Sequence, residues 1–171
     1  KEGDAVEVKR STIKRIAYSG VVGDLFHYGH LQSLQFAKSL ADYNIVGVFT
    51  DAAVEEYRAK PICNYQERKA IFQSLNCIDR VMLQSSKDST ENLQKIHEEF
   101  PDAEIILVHG DDLEEVPGAA YVKNIGGKII KHPYYARLSN FRIINELAER
   151  KGKLKDVADF SSLIGQGSAE I

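Results

Sequence analysis

The sequence has 171 residues and contains no tryptophan, one methionine (Met82), two cysteines and four prolines. The two cysteines, Cys63 and Cys77, are too few for a disulfide framework and lack the paired spacing of a zinc site, so a reducing, cytoplasmic setting is expected. No apolar run approaches the roughly 18 residues that span a bilayer, and no signal-peptide pattern opens the chain. No excess of one charge stands out either. The net charge of -3 offers no electrostatic footprint for nucleic acid or a membrane surface. Internal repeats and low-complexity stretches are missing too. Because the first residue is Lys1 and the single methionine is Met82, the chain is expected to be processed or cut from something longer.

What is present is an ordinary globular composition, 43% hydrophobic and 27% charged, long enough to bury a real core. Apolar, β-rich runs at 15–22, 43–50, 80–84, 104–110 and 127–133 carry few interior charges, as strands covered on both faces do. Between them lie helical patterns. Leu31, Leu34, Ala37 and Leu40 recur at helical spacing, as do Leu93, Ile96 and Phe100. "YQERKAIFQSL" and "SNFRIINELAER" read the same way, the second with Ser139 as N-cap. This alternation predicts an α/β fold, Rossmann-like and doubly wound: a mainly parallel five-stranded sheet with helices on both faces. The expected domain runs over 14–150, with a loose lead-in at 1–13 and a weakly periodic tail at 151–171. Such sheets bind ligands beyond the carboxyl ends of their strands, where the strand order reverses.

"GDLFHYGH", residues 23–30, falls at one such end. It places Gly29 at the turn and His30 in the first turn of a helix, where unpaired N–H groups and the dipole attract anions. Imidazoles there can donate to phosphate oxygens during phosphoryl-type transfer, and small Gly29 lets a bulky anion approach. Two other readings compete. His27 and His30 can begin a zinc site, but that needs further ligands, or they merely satisfy hydrogen bonds at a strand end.

The wider string narrows the choice. "DLFHYGH" resembles the D-x-x-H-x-G-H signature of the cytidylyltransferase branch of the HxGH nucleotidylyltransferases, which acts on phosphates such as glycerol 3-phosphate, phosphocholine and phosphoethanolamine. "KPICNYQERKAIFQSLNCIDRVML" is similar to that family's Lys-Pro segment, E-R helix and following strand. "VHGDD" resembles its strand-end G-D-D, and "RLSN" falls where it has S-T-T. Four motifs in the same order, over roughly residues 14–150, make the resemblance specific.

The resemblance implies an enzyme that joins CTP to a small phosphorylated alcohol or phosphonate. The acceptor's phosphate oxygen attacks the α-phosphorus in line and pyrophosphate leaves, with no covalent enzyme intermediate. His27 and His30 would hold triphosphate oxygens. Lys60 would approach the α-phosphate or the acceptor, and Arg68 would bind phosphate or acceptor. Without the resemblance, Lys60 reads as a solvated loop residue and Arg68 as half of a surface pair on its helix. Gly110, Asp111 and Asp112 would orient the nucleotide, or Mg²⁺ carried mainly by its phosphates; one of the aspartates also reads as a simple turn residue. Asp24 would hold the strand–helix turn by accepting backbone N–H bonds. Ser139 would offer its hydroxyl to the β- or γ-phosphate. No metal-binding residue of the protein's own is implied, and a homodimer is.

The match has departures. The family's G-T-F-D reads "GVVGD" here, so Gly23 replaces the aromatic, and Gly20 and Val21 share the nucleotide-contacting place of the glycine. Where the family has R-T-x-G-[IV]-S-T-T, this chain has "YYARLSNFR". Alignment on Ser139 puts Tyr134 in place of the arginine, Arg137 in place of the glycine, and Asn140 and Phe141 in place of the threonines. Asn140 keeps a phosphate donor and Phe141 does not, while Arg137 supplies a guanidinium from a new position. Two alternatives follow: an ATP-dependent adenylyltransferase with the same histidines, and a non-catalytic nucleotide-binding module of a larger protein.

Overall fold

The computed structural model describes residues 12–153. It divides into two compact units that part between Ala136 and Arg137. The first holds β1 (Arg15–Val21), α1 (Tyr28–Ser39), β2 (Tyr43–Phe49), α2 (Asp51–Glu55), α3 (Tyr65–Gln73), β3 (Arg80–Gln84), α4 (Thr90–Glu99), β4 (Glu104–Gly110), α5 (Ala119–Asn124) and β5 (Lys128–His132). The second holds α6 (Asn140–Lys153).

The five strands form one sheet in the order β3-β2-β1-β4-β5, and every neighbouring pair is parallel. This is the α/β, doubly wound arrangement that the strand–helix alternation predicts. Alternate residues of each strand serve opposite layers. Ile16 and Tyr18 of β1 pack with Leu93 and Ile96 of α4 and Val122 of α5. Ala17, between them, meets Ala37 of α1 on the other side. In β2, Ile45 joins the first layer, while Val46 and Val48 pack with Leu34 of α1 and Phe72 of α3. Covering on both faces is why the strands read as apolar runs, and each fully buried Ile, Leu or Phe contributes on the order of 2 kcal/mol.

Some bounds differ from those read in the sequence. β1 stops at Val21. β2 stops at Phe49, because Thr50 turns out of the strand to cap α2, its hydroxyl accepting the Ala53 N–H at 3.1 Å. β5 is shorter at both ends. α2 and α5, five and six residues long, were not expected: neither completes enough turns to show a 3.6-residue period. The lead-in is not loose throughout, since Ile13 is buried in the core; residues 1–11 lie outside the described residues. α6 carries on to Lys153, and the remainder of the expected tail, 154–171, also lies outside them.

A buried polar chain joins the middle of β1 to the carboxyl end of β3. The Tyr18 hydroxyl donates to Gln84 Oε1 at 2.6 Å and accepts from Asn92 Nδ2 at 2.9 Å. A β-carbon on Gly47 would collide with that hydroxyl, so glycine is required there. Burial pushes the Tyr18 phenol above its ordinary range. The strand order makes the gap between β1 and β4 the point from which the chain winds outward in both directions, so their carboxyl ends frame the crevice.

Candidate functional site

The chain leaves β1 through a strained turn. Gly23 has φ +68, and a β-carbon on it would run into the Phe72 ring. Leu25, with φ 48, is also left-handed, which costs a bulky residue roughly 1–2 kcal/mol. Beyond it, the Phe26 ring stacks on His30 with centres 5.4 Å apart and meets Phe72 edge-on at 5.7 Å.

This turn delivers His27 to the N-cap of α1 in an extended conformation. The His27 Nδ1 accepts the Gly29 N–H at 3.0 Å, and the His30 Nδ1 accepts the His27 N–H at 3.1 Å. The pair is a reciprocal capping box made of imidazoles, where Ser or Thr and Glu would ordinarily stand. With its Nδ1 accepting, each ring carries its proton on Nε2 when neutral and is then an Nε2–H donor. Their centres are 4.0 Å apart. Burial, assisted by the neighbouring His27 and opposed by the Asp24 carboxylate, lowers the His30 pKa from 6.5 to about 4. His30 is therefore a neutral donor at neutral pH. A β-carbon on Gly29 would lie 2.8 Å from His27 Cε1 and 3.2 Å from Tyr135 Cβ, which gives the H-x-G-H spacing a local steric reason.

Asp24 ties this turn to the loop before α3: its carboxylate accepts the N–H groups of Ile62 at 2.9 Å and Cys63 at 2.8 Å. Lys60 stands exposed on that loop, just before buried Pro61. Asn64 and Glu67 box the start of α3, with bonds of 2.8 and 3.0 Å. Arg68 lies elsewhere than expected, neither on a surface pair nor open to a phosphate. Its side chain is 0% exposed and donates from Nε to the Cys63 carbonyl (2.9 Å), from Nη1 to the Val22 carbonyl (2.6 Å) and from Nη2 to Asp51 Oδ1 (2.7 Å). It clasps β1's end, the 60–63 loop and the start of α2 together from below.

Across the crevice, Gly110 ends β4, followed by exposed Asp111 and Asp112. The phenol end of Tyr134 occupies the space a Gly110 β-carbon would need, and its hydroxyl donates to Asp112 Oδ1 at 3.1 Å. Gly20 makes room for the Gln84 amide, which a β-carbon would approach to 2.8 Å; Val21 packs toward Leu34 and Phe72. In the second unit, Ser139 caps α6 as read from the sequence, its Oγ accepting the Arg142 N–H at 3.1 Å. Arg137 accepts at its carbonyl from Arg142 Nη1 at 2.9 Å, and Asn140 opens the helix. Among the described residues no three His, Cys, Asp or Glu side chains gather as a metal-holding group.

Sequence reasoning passed over two cations. Arg58 and Lys87 flank the Tyr57 ring, at 4.7 and 4.1 Å from its centre. Arg58 also draws the Tyr134 phenol toward ionisation, against the burial that raises it. The only signal in the sequence was the proximity of Arg58 to Lys60 in "YRAKP".

The doubly wound sheet thus carries two imidazoles at the first helix of its crevice. The chain belongs to the cytidylyltransferase-like family, whose model matches residues 23–135. It is 32% identical over 151 residues to the bifunctional protein HldE of Syntrophotalea carbinolica, covering 86% of this chain and 30% of that one. The HldE of Citrifermentans bemidjiense is 33% identical over 147 residues, 84% and 29% of the respective chains. The chain thus spans about 30% of the length of the curated relatives it matches. Among solved structures, the lipopolysaccharide core biosynthesis protein of Thermoplasma volcanium shares the fold with a TM-score of 0.56 at 24% identity, over 72% of this chain and 98% of that one. A putative nicotinate-nucleotide adenylyltransferase of Vibrio parahaemolyticus does so with 0.52 at 19%, over 80% and 88%. No helix among the described residues is long and apolar enough to cross a membrane.

Proposed function

We propose that this chain transfers the adenylyl group of ATP to the phosphate of a small phosphorylated sugar or related alcohol, releasing pyrophosphate. The observation that carries the reading is the imidazole capping box, which fixes two Nε2–H donors at the N-terminus of α1. An acceptor phosphate oxygen attacks the α-phosphorus, and the bond from that phosphorus to the β-phosphate's bridging oxygen breaks. Negative charge grows on the bridging and non-bridging oxygens during this exchange. Donors already locked by backbone bonds need no reorganisation to meet it.

Lys60 brings a mobile positive charge to the α-phosphate or the acceptor. Arg68 acts as a positioning residue, through the loop that carries Lys60 and the turn that carries His27. Gly110, Asp111 and Asp112 face the nucleoside, with Gly20 and Val21 shaping the strand beneath; the roles of Arg137, Ser139 and Asn140 toward phosphate rest on the sequence motif alone. Asp111 and Asp112 would help hold a Mg²⁺ carried by the triphosphate, and the ion would screen the phosphate charge. Two exposed carboxylates at 111 and 112 suit a hydrated cation shared with phosphates better than a cage of protein ligands. A homodimer belongs to the same proposal.

The sequence motifs alone favour CTP. The relatives support ATP better: one structural neighbour bears the name of an adenylyltransferase, and the other, a lipopolysaccharide core biosynthesis protein, supports a sugar-linked acceptor. CTP stays as the second reading on the strength of "KPICNYQERKAIFQSLNCIDRVML" and "VHGDD". Pyrophosphate release with Mg²⁺, ATP or CTP, and pooled sugar phosphates and polyol phosphates tests both. Release with ATP is the expected result, and release with CTP alone moves the base assignment. Nucleotide binding without release from either makes the chain a binding module.

A further inference from the structure

We infer that Tyr134 is the base-stacking residue of this site, its ring carrying the purine of a nucleoside triphosphate and thereby favouring ATP over CTP. The inference deepens the adenylyl-transfer reading and rests on it.

Residues 134 and 135 follow β5, whose His132 is paired with Gly110 in the sheet. From there the chain crosses the carboxyl ends of the strands. Tyr134 sits on Gly110, the last residue of β4, and Tyr135 sits on Gly29, in the first turn of α1. Tyr135 is further held by an edge-on contact with Tyr28, at 5.1 Å between ring centres. Two consecutive residues therefore bridge the crevice, one beside the imidazole pair and one beside the exposed aspartates. A triphosphate on His27 and His30 sends its nucleoside toward the β4 end, where Tyr134 is the aromatic ring in place.

The ring is fixed but not buried. Its phenol end is held by the Gly110 backbone and by the bond to Asp112, yet 59% of the residue is exposed. That much open surface gains little from packing, so core stability does not account for a large aromatic there. A held, open ring is what a planar ligand needs, because stacking on it freezes few side-chain rotations. Burial and the Asp112 carboxylate push the phenol up to about 12, so the ring stays neutral at ordinary pH. Every base has a face to stack, and a purine covers more of the ring than a pyrimidine does. The preference is accordingly one of degree.

The absence of tryptophan supplies the test. In the 171-residue chain carrying Tyr134→Trp, the new indole is the single one, and its emission reports on stacking. ATP with Mg²⁺ should quench it, CTP should quench it less at equal occupancy, and inorganic tripolyphosphate should bind by calorimetry without quenching. In Tyr134→Leu, the Kd for ATP should rise about tenfold, the Kd for tripolyphosphate should hold within about twofold, and the ATP-to-CTP affinity ratio should fall toward one. ATP that binds the Trp variant without changing its emission overturns the inference, as does an unchanged ATP affinity in the Leu variant. Quenching by ATP in a protein that releases no pyrophosphate leaves the stacking intact and removes the transferase reading. Failure of the unsubstituted chain to bind ATP removes both.

Discussion

At the carboxyl end of β1, the polar groups of Val22, Asp24, His27, Gly29 and His30 are bonded to one another or to the 62–68 segment. At the carboxyl end of β4, a few residues across the crevice, Asp111 and Asp112 stand exposed and the Tyr134 hydroxyl is held by a single bond to an exposed carboxylate. One side is locked by its own backbone and the other is built to be covered. The contrast suits the chemistry proposed for each. Donors to a charged transition state act best when already fixed, whereas a surface that chooses among bases needs to remain open until one arrives.

The largest effect that tests this contrast is on the locked side. Arg68→Met leaves the Cys63 and Val22 carbonyls and the Asp51 carboxylate without the guanidinium. Unfolding in urea should show a loss of about 3–5 kcal/mol. A loss below about 1 kcal/mol would mean the clasp is not what fixes the turn. Next comes His30→Ala, which should lower pyrophosphate release by about 100- to 1000-fold while the ATP affinity measured by calorimetry changes only a few-fold. Equal losses in both would make His30 a ground-state binder.

Acid titration sharpens the comparison further. The folded-state pKa of His30 lies below its ordinary value, 6.5 falling to about 4. Between those limits the unfolded chain takes up a proton that the folded chain refuses. Stability from this residue is complete above pH 6.5 and is lost on acidification toward pH 4, by about 3 kcal/mol at most. Unfolding followed across that range should show the slope, and His30→Gln should flatten it. The smallest effect belongs to the open side. Tyr134→Phe removes one exposed hydrogen bond and should cost under about 1 kcal/mol in the same urea experiment.

The same contrast explains what could be read in the sequence. The sheet was legible because strands such as "NIVGVF" are covered on both faces and carry no polar alternation. The imidazole pair was legible because its partners lie within three residues of each other, so spacing alone brings them together. Asp24 was expected to grip backbone, and it does, but its partners at 62 and 63 are 38 and 39 residues away, a distance that no local pattern encodes. Arg68 was misplaced for the same reason. Its three acceptors come from three separate elements, and on its own helix it looks like half of a surface pair. Tyr134 registered only as a mismatch, since the glycine it rests on is 24 residues upstream.

The position of β1 has a consequence for how the molecule is made. This strand pairs with β2 on one edge and β4 on the other, and chains emerge from the ribosome N-terminus first. The first neighbour is complete at residue 49, but the second is not until residue 110. During synthesis the middle of the finished sheet is for a time its border, with a row of unmatched backbone groups available to any extended segment nearby. The imidazole pair and its turn are translated well before Gly110 arrives to face them. The crevice beside the pair is complete only once β4 has docked.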